Sequence, residues 1–275
     1  MGKQVFPLCP WIEVLAVVLS VLAVSPACAE DAVATVLTPP KFEIANSRVS
    51  VWYDAERGLW GMASRDGSIL LTNGAPGVQL GGQGIRLPES SACSAQREEG
   101  RDDLGDYVRL KVAFMGLPSL EELVWSATLR PDTPHAVFAV SARAKPGAPG
   151  PLQSIQVLTP FEEPPFQFGA ERDRWVCFCD SGHQGGTRVT PCFDGEQASY
   201  SSPATLMVHD PPAGQSLLLG WLSWAGSNPS VQLTATRAHG LTSLSAQCSY
   251  YADGLDGAVS RSEEHTSELQ SPECI

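Results

Sequence analysis

The stretch Arg48-Val-Ser-Val-Trp-Tyr-Asp54 places apolar side chains at every second position, which is typical of a β-strand with one buried face. A polar turn that ends in glycine follows at 54–58, and residues 59–64 return as the second strand of a hairpin. Asp66-Gly67 is a tight-turn signal before another apolar run at 69–71. The sequence therefore predicts antiparallel sheet in this part of the chain.

Similar strand-like runs continue through most of the sequence, and almost no segment keeps helical periodicity over three turns. The exception is the polar segment 89–105, which predicts an exposed loop. Many short strands with turn residues between them indicate an all-β fold, a large antiparallel β-sandwich of the supersandwich type over residues 41–260, incomplete at its C-terminal end. The further predicted strands are 78–80, 107–114, 120–129, 135–144, 152–158, 175–179, 204–209, 216–224, 231–236 and 244–250.

The last residues, 261–275, differ in character from the rest. The run 261–271 back-translates, in one frame, to a string that resembles a short-read sequencing adapter. Such a segment does not belong in fold reasoning. We therefore expect residues 261–275 to be an artefact, and the natural chain to continue beyond residue 260 into a part that this sequence lacks.

The N-terminal residues predict export. Lys3 precedes an apolar run at 14–24, and Ala27-Cys-Ala29 supplies small residues before Glu30, so we expect a signal peptide over 1–29 and a linker over 30–40. The apolar run is shorter than the about 20 residues that a membrane-spanning helix needs. A lipoprotein signal with a lipidated Cys28 is the alternative. The expected location is secreted or periplasmic, with no membrane span.

Composition narrows the class of partner. The formal net charge is −12 at pH 7, and the tail adds only part of that excess. An acidic surface lacks the cations that neutralise phosphates, so we expect neither nucleic acid nor an anionic membrane as a partner.

The cysteines outside the predicted signal and tail are candidates for disulfides, since export exposes them to an oxidising compartment. They are Cys93, Cys177, Cys179, Cys192 and Cys248. Cys192 with Cys177 or Cys179 is one possible pairing, and the sequence leaves the connectivity open. A zinc set that adds His183 to Cys177, Cys179 and Cys192 is the alternative, but the usual C-x2-C spacing is absent. We expect no metal and no cofactor.

Two groups of residues bear on carbohydrate chemistry. Trp175, Trp221 and Trp224 could offer aromatic faces to the apolar surfaces of sugar rings, and the alternative is that Trp221 and Trp224 are core residues of a buried strand. The carboxylate pairs Glu121-Glu122 and Glu162-Glu163 are adjacent on the chain, and adjacent strand residues point to opposite faces. Neither pair is therefore expected to form an acid/base couple, and no catalytic residue is assigned.

The chain resembles the N-terminal β-sandwich of α-galactosidase-like glycoside hydrolases of the family 36 type. The resemblance is carried by 48–54 with 67–74, by 125–144, and by Ser216-Leu-Leu-Leu-Gly-Trp-Leu-Ser223. It implies that a (β/α)8 barrel with two catalytic Asp residues follows the sandwich and hydrolyses the substrate in a retaining mechanism. The chain itself would then be inactive. A stand-alone carbohydrate-binding or adhesive sandwich is the alternative, while an epimerase-like enzyme would need converging His and Glu groups that the sequence does not supply.

Overall fold

The structure is a computed structural model that describes residues 16–22, 33–86, 92–117, 119–131, 133–148, 150–158, 166–169, 171–180, 187–222 and 227–250. Within these ranges the chain is almost entirely β-strand, with one short 3-10 helix at Arg172–Arg174. The prediction of an all-β, antiparallel, sandwich-type fold is confirmed.

The largest sheet of the described residues, sheet A, has nine antiparallel strands. In order across the sheet they are β16 (Thr187–Pro191), β15 (Val176–Asp180), β18 (Thr205–Asp210), β19 (Gln215–Trp221), β1 (Ala16–Leu22), β12 (His135–Ala144), β11 (Leu120–Leu129), β10 (Gly105–Met115) and β9 (Ala92–Asp102). Most neighbours in the sheet are also close in sequence, which is typical of hairpin connections.

Two smaller sheets contain the remaining described strands. Sheet B runs β14 (Phe166–Gln167), β6 (Leu70–Gly74), β5 (Leu59–Ser64), β4 (Val49–Asp54), β3 (Lys41–Ala45) and β2 (Ala34–Thr38). Sheet C runs β17 (Gln197–Ser202), β20 (Asn228–Thr236), β21 (Gly240–Ser249), β13 (Leu152–Leu158), β7 (Gly77–Leu80) and β8 (Gln83–Arg86).

Sheets B and C pack against sheet A, so that sheet A forms one layer of the sandwich. Strand β10 contacts β3 and β12 contacts β4, whereas β18 and β19 contact β20. The alternation of β10 explains this packing, because Leu110, Val112 and Phe114 are buried while Arg109 and Lys111 on the other face are only partly buried. The same period of two was predicted from the sequence.

Aromatic side chains fill the space between sheets A and B. Tyr53 on β4 lies 5.4 Å from the ring of Trp125 on β11, and Trp60 on β5 stacks on Phe138 of β12 at 4.4 Å. The Trp60 indole also donates a hydrogen bond to the carbonyl of Val157, 3.2 Å away on β13 of sheet C. One residue thus ties all three sheets together.

A buried amide adds a polar link between the layers. Asn46 lies in the turn between β3 and β4, and its Nδ2 donates to the carbonyls of Arg130 and Thr133 at 2.7 and 2.9 Å. Its Oδ1 accepts from the backbone N–H groups of Arg48 and Val49. Since each half of the amide is satisfied, the burial of this polar group is not costly.

The predicted loop at 89–105 was wrong. Most of that segment is strand β9, which pairs with β10 along its whole length. The side chains of β9 are mainly polar because it is the edge strand of sheet A, where charged residues are common. Glu98 meets Lys111 at 2.6 Å across the pair. A strand stabilised by charge pairs lacks the apolar alternation by which the others were found.

The predicted linker at 30–40 contains strand β2, which pairs with β3. Its residues are mostly exposed, so its composition resembled that of a linker. Within the predicted signal peptide, residues 16–22 form strand β1, and the rest of that segment lies outside the described residues. The predicted tail at 261–275 also lies outside them.

Candidate functional site

The tryptophans proposed to contact sugars are buried where the structure describes them. Trp175 is 1% exposed and Trp221 is 6% exposed, while Trp224 lies outside the described residues. Trp175 packs edge-on against Phe168 at 5.0 Å and lies 6.1 Å from Phe193. The burial of Trp221 agrees with the alternative that it is a core residue, and Trp175 is buried as well. A stacked sugar would need a ring face that is not exposed here.

Directly beside Trp175 the structure forms an open, charged cleft of about 720 Å³. We call it the arginine–carboxylate cleft. It is built from the 3-10 helix that precedes Trp175, from the turn before β17 and from the end of β20. Its lining residues are Glu171, Arg172, Asp173, Arg174, Gly195, Glu196 and Arg237.

Arg237 joins two sides of the cleft. Its guanidinium forms an ion pair with Asp173 on the 3-10 helix, and its Nε donates to the carbonyl of Gly195 at 2.7 Å. The same guanidinium lies over the ring of Phe193 at 5.4 Å, a cation–π arrangement. Phe193 in turn packs on Trp175, so the buried aromatic residues form a rigid support for the charged groups.

Arg172 connects the 3-10 helix to the turn that follows β20. Its Nη1 donates to the carbonyl oxygens of Arg237 and Ala238. The backbone of Gly240 passes so close that a Cβ there would lie 3.1 Å from the Arg172 Nε and 3.2 Å from the Trp175 ring. The helix and the turn between β20 and β21 are therefore locked together by one guanidinium.

A buried carboxylate fixes the backbone that leads into the cleft. Asp210, at the end of β18, is fully buried, and its Oδ2 accepts from the N–H of Glu171 at 3.3 Å. Gly169 has a φ of +59°, and a Cβ on it would lie 2.4 Å from that same oxygen. The approach of the chain to Asp210 therefore requires glycine at this position.

The charges of the cleft balance. Arg172, Arg174 and Arg237 face Glu171, Asp173 and Glu196. A phosphate or nucleic-acid site would need an excess of cations. This lining instead offers both hydrogen-bond donors and acceptors and carries no net charge. It is chemically suited to an uncharged, polyhydroxylated ligand.

This cleft was not predicted from the sequence. Its signal was the run Glu171-Arg-Asp-Arg-Trp175, in which alternating charges directly precede a tryptophan. Arg237 is distant in sequence from that run, and the pairing of β17 with β20, which places Gln197 opposite Thr236, brings it beside Glu196.

Three of the candidate cysteines do come together. Cys177 and Cys179 lie on β15, and the N–H of Cys192 donates to the carbonyl of Trp175 beside them. Burial, aided by the nearby thiols of Cys192 and Cys179, raises the pKa of Cys177 to about 12. Burial also raises the pKa of Cys192 to about 11. These thiols are therefore protonated and unreactive at neutral pH.

Cys93, Cys177, Cys192 and Cys248 are free thiols in this structure. Cys93 lies opposite Phe114 in the edge pair of sheet A, and Cys248 is buried on β21. No cluster of three or more His, Cys, Asp or Glu that could hold a metal occurs among the described residues. His183, which the zinc hypothesis needs, falls outside them.

Glu121 and Glu122 at the start of β11 do not point apart, as adjacent strand residues were expected to do. A register shift between Leu120 and Glu122 allows both Glu121 and Glu122 to reach one side chain, that of Arg143, at 3.0 and 3.4 Å. They share a cation and form no acid/base couple. The pair Glu162-Glu163 lies outside the described residues.

No protein-family model matches the chain, and no curated protein matches its sequence significantly. In the part of the chain that the structure describes, no helix is long and apolar enough to cross a membrane. The family resemblance therefore stays a prediction.

Proposed function

We propose that this chain is the non-catalytic sandwich region of a secreted glycoside hydrolase acting on α-galactosides or related sugars. The arginine–carboxylate cleft is the surface with which it contacts the sugar. The proposal is supported by the β-sandwich fold, by the resemblance of 48–74, 125–144 and 216–223 to the corresponding region of family 36 glycosidases, and above all by the chemistry of the cleft.

The observation that carries the proposal is the balanced lining. A sugar hydroxyl both donates and accepts hydrogen bonds, so its complement is a surface that does the same. Arginine forks donate in a fixed plane and carboxylates accept. The volume of about 720 Å³ lies within the range of small-ligand sites, roughly 300–1,000 Å³.

The support beneath the cleft favours pre-organisation. Arg237 is held by Asp173, by the Gly195 carbonyl and by the face of Phe193. A side chain that is already fixed loses little freedom when a ligand arrives, and this lowers the entropic cost of binding.

In this proposal hydrolysis is performed elsewhere in the parent enzyme, by two aspartates of a (β/α)8 barrel about 5 Å apart. The chain alone is therefore expected to leave an aryl α-galactoside intact. Hydrolysis of an aryl α-galactoside by the purified chain would contradict this assignment.

Calorimetry measures the affinity of the full chain for galactose-containing oligosaccharides and so tests the cleft as the sugar site. Arg174 lines the cleft, is largely exposed and pairs only loosely with Glu171 at 3.6 Å, so Arg174→Met leaves the fold intact. We expect it to weaken binding about tenfold, the worth of one hydrogen bond to a charged group. The matched control is Arg101→Met on edge strand β9, equally exposed and remote from the cleft. Equal affinities in both variants would refute the cleft as the sugar site.

A stand-alone carbohydrate-binding module is the second candidate, because sugar binding at the cleft needs no catalytic domain. Both proposals expect sugar binding. Recovering the complete transcript separates them, because a downstream barrel with Asp residues at strand ends supports the glycosidase, whereas an early stop codon supports the module.

A further inference from the structure

Trp52 differs from the other tryptophans in the described part of the chain. Those others are at most 6% exposed, and they are Trp60, Trp125, Trp175 and Trp221. Strand β4 alternates strictly between buried and partly buried side chains, and Trp52 belongs to the partly buried set. Because alternate strand residues point to opposite faces, its indole lies on the face of sheet B that points away from sheet A.

The indole of Trp52 lies down on the sheet over the neighbouring strand. Gly61 on β5 is directly opposite Trp52, and a Cβ on it would lie 2.3 and 2.5 Å from two carbons of the Trp52 ring. A side chain at position 61 would therefore displace the indole. The bare backbone of Gly61 lets the ring rest on the sheet, with its other face turned outward.

An ion pair adjoins this ring. The Nζ of Lys41 lies over the Trp52 ring at 4.8 Å from its centroid, and it meets the Glu43 carboxylate at 2.7 Å. The Lys41 side chain is 51% exposed, and its four-carbon stem is flexible, so the ammonium can move aside at little cost. We call Trp52, Lys41 and Glu43 the Trp52 platform. It combines an aromatic surface with hydrogen-bond donors and an acceptor.

The platform continues along the sheet in one direction. Val36 on edge strand β2 is opposite Glu43, which in turn is opposite Trp52, so the three residues form a row across three strands. Val36 is 52% exposed. Since neighbouring strands lie about 4.8 Å apart, the row offers two apolar contacts with a carboxylate between them. A flat, extended ligand matches such a row better than a compact one.

We propose that the Trp52 platform is a second carbohydrate site, which binds an uncharged chain of β-linked hexoses laid flat on sheet B. In β-linked glucose every ring hydroxyl is equatorial, so each sugar ring has two C–H faces that pack on an aromatic face. Lys41 donates to the hydroxyls at the rim of the ring, and Glu43 accepts from them. The proposal does not rest on the proposed function, because the platform shares no residue with the arginine–carboxylate cleft.

Tyr107 provides a matched comparison on sheet A. Its ring also covers a glycine, since a Cβ on Gly100 would lie 2.5 Å from the phenol. The guanidiniums of Arg109 and Arg130 lie over that ring at 5.1 and 5.8 Å, where Trp52 has a single ammonium. Tyr107 therefore covers a glycine without offering a free face, which separates the structural role of such a ring from sugar binding.

The test is calorimetry of the full chain with cellohexaose, a chain of β-linked glucose that contains no galactose. We expect saturable binding, and Trp52→Leu should weaken it about tenfold, because leucine still covers Gly61 but has no ring face. Trp52→Tyr should recover most of the affinity. Tyr107→Leu, the control, should leave the affinity unchanged.

Three results would overturn the platform. They are the absence of saturable binding by the parent chain, equal affinities of Trp52→Leu and Tyr107→Leu, and a loss of cellohexaose affinity in Arg174→Met that Trp52→Leu does not show. The last result would place the glucose chain in the cleft. Conversely, failure of the cleft to bind galactose-containing oligosaccharides leaves the platform unaffected, so the two proposals fail separately.

A second measurement needs no variant and remains valid if Trp52→Leu does not fold. N-bromosuccinimide oxidises accessible indole rings, and peptide mass mapping locates the oxidised tryptophan. We expect Trp52 to be oxidised before the four buried tryptophans, and cellohexaose to slow its oxidation at concentrations that saturate the calorimetric signal. Oxidation of Trp52 at the same rate with and without the sugar would contradict the assignment.

Discussion

Two aromatic clusters in this molecule are built from similar residues but differ in what surrounds them. In the first, Trp60 and Trp125 pack with Tyr53 and Phe138 between sheets A and B. The Trp60 indole is satisfied by a carbonyl of sheet C, whereas the Trp125 indole has no hydrogen-bond partner among the described residues. In the second, Trp175 packs beneath a charged cleft, and its Nε1 has no hydrogen-bond partner among the described residues.

The difference separates stability from recognition. The first cluster lies between two layers, so its role is to hold the sandwich together. In the second, the guanidinium of Arg237 lies over the ring of Phe193, and Gly169 lies beside both the Trp175 indole and the buried carboxylate of Asp210. Polar groups so close to a core are expensive to maintain, and such cost is typical of a functional site.

The largest expected effect is at the first cluster. Trp60→Ala should lower the free energy of unfolding by about 3–5 kcal/mol, because it leaves a large cavity and also orphans the Val157 carbonyl. Trp175→Ala, which breaks no indole hydrogen bond to a described residue, should cost about 1 kcal/mol less, the worth of that bond. Urea denaturation of both variants measures the difference.

Equal costs, or a larger cost at Trp175, would break the distinction between the two clusters. Trp52→Ala is a useful reference, since that ring is only half-buried and touches Lys41. The fall in the free energy of unfolding for Trp52→Ala should be well below that for either buried tryptophan.

Sequence alone predicted the first cluster better than the second. Apolar residues that alternate along one strand, such as Val49, Val51 and Tyr53, indicate its buried face from local sequence alone. The hairpin strand at 59–64 was predicted with its observed bounds. The cleft depends instead on Arg237 meeting Asp173, two residues that no local pattern connects. Edge strands β2 and β9 were missed for a related reason, because solvent contact and charge pairs replace the apolar alternation.

The second prediction concerns the link between the cleft and its buried anchor. Gly169→Ala forces a Cβ against the Asp210 carboxylate at a φ of +59°, so it should destabilise the chain by about 1–3 kcal/mol. Gly195→Ala is the matched control in the same cleft, since a Cβ there meets nothing within 4 Å. Its expected effect is within about 0.5 kcal/mol.

Sugar binding sharpens this result. If Asp210 positions the cleft, Gly169→Ala should also weaken the oligosaccharide affinity measured by calorimetry. Gly84→Ala, outside the cleft and with nothing within 4 Å of the added Cβ, should keep that affinity. A Gly169→Ala protein of unaltered stability and affinity would show that the backbone approach to Asp210 plays no part in shaping the site.

The last prediction concerns the pH dependence that Cys177 contributes beneath the second cluster. Burial, assisted by the thiols of Cys192 and Cys179, raises its pKa to about 12, whereas a thiol in an unfolded chain titrates near 8.5. Below about pH 8.5 both states hold the proton and the stabilisation is complete. Between about pH 8.5 and 12 only the folded state keeps it, so the free energy of unfolding falls as pH rises, by at most about 1.4 kcal/mol per pH unit.

Cys177→Ala should therefore flatten the decline measured by urea denaturation under reducing conditions between pH 8.5 and 10.5. Cys192 and Cys248, whose pKa values burial raises to about 11, are present in both proteins, so only the difference in slope reports on Cys177. Cys93→Ala is the control: that thiol is only partly buried, and its removal should change the slope less. If the two variants decline in parallel with the parent chain, the cysteine face of β15 is open to water, and the second cluster is not sealed from solvent on that side.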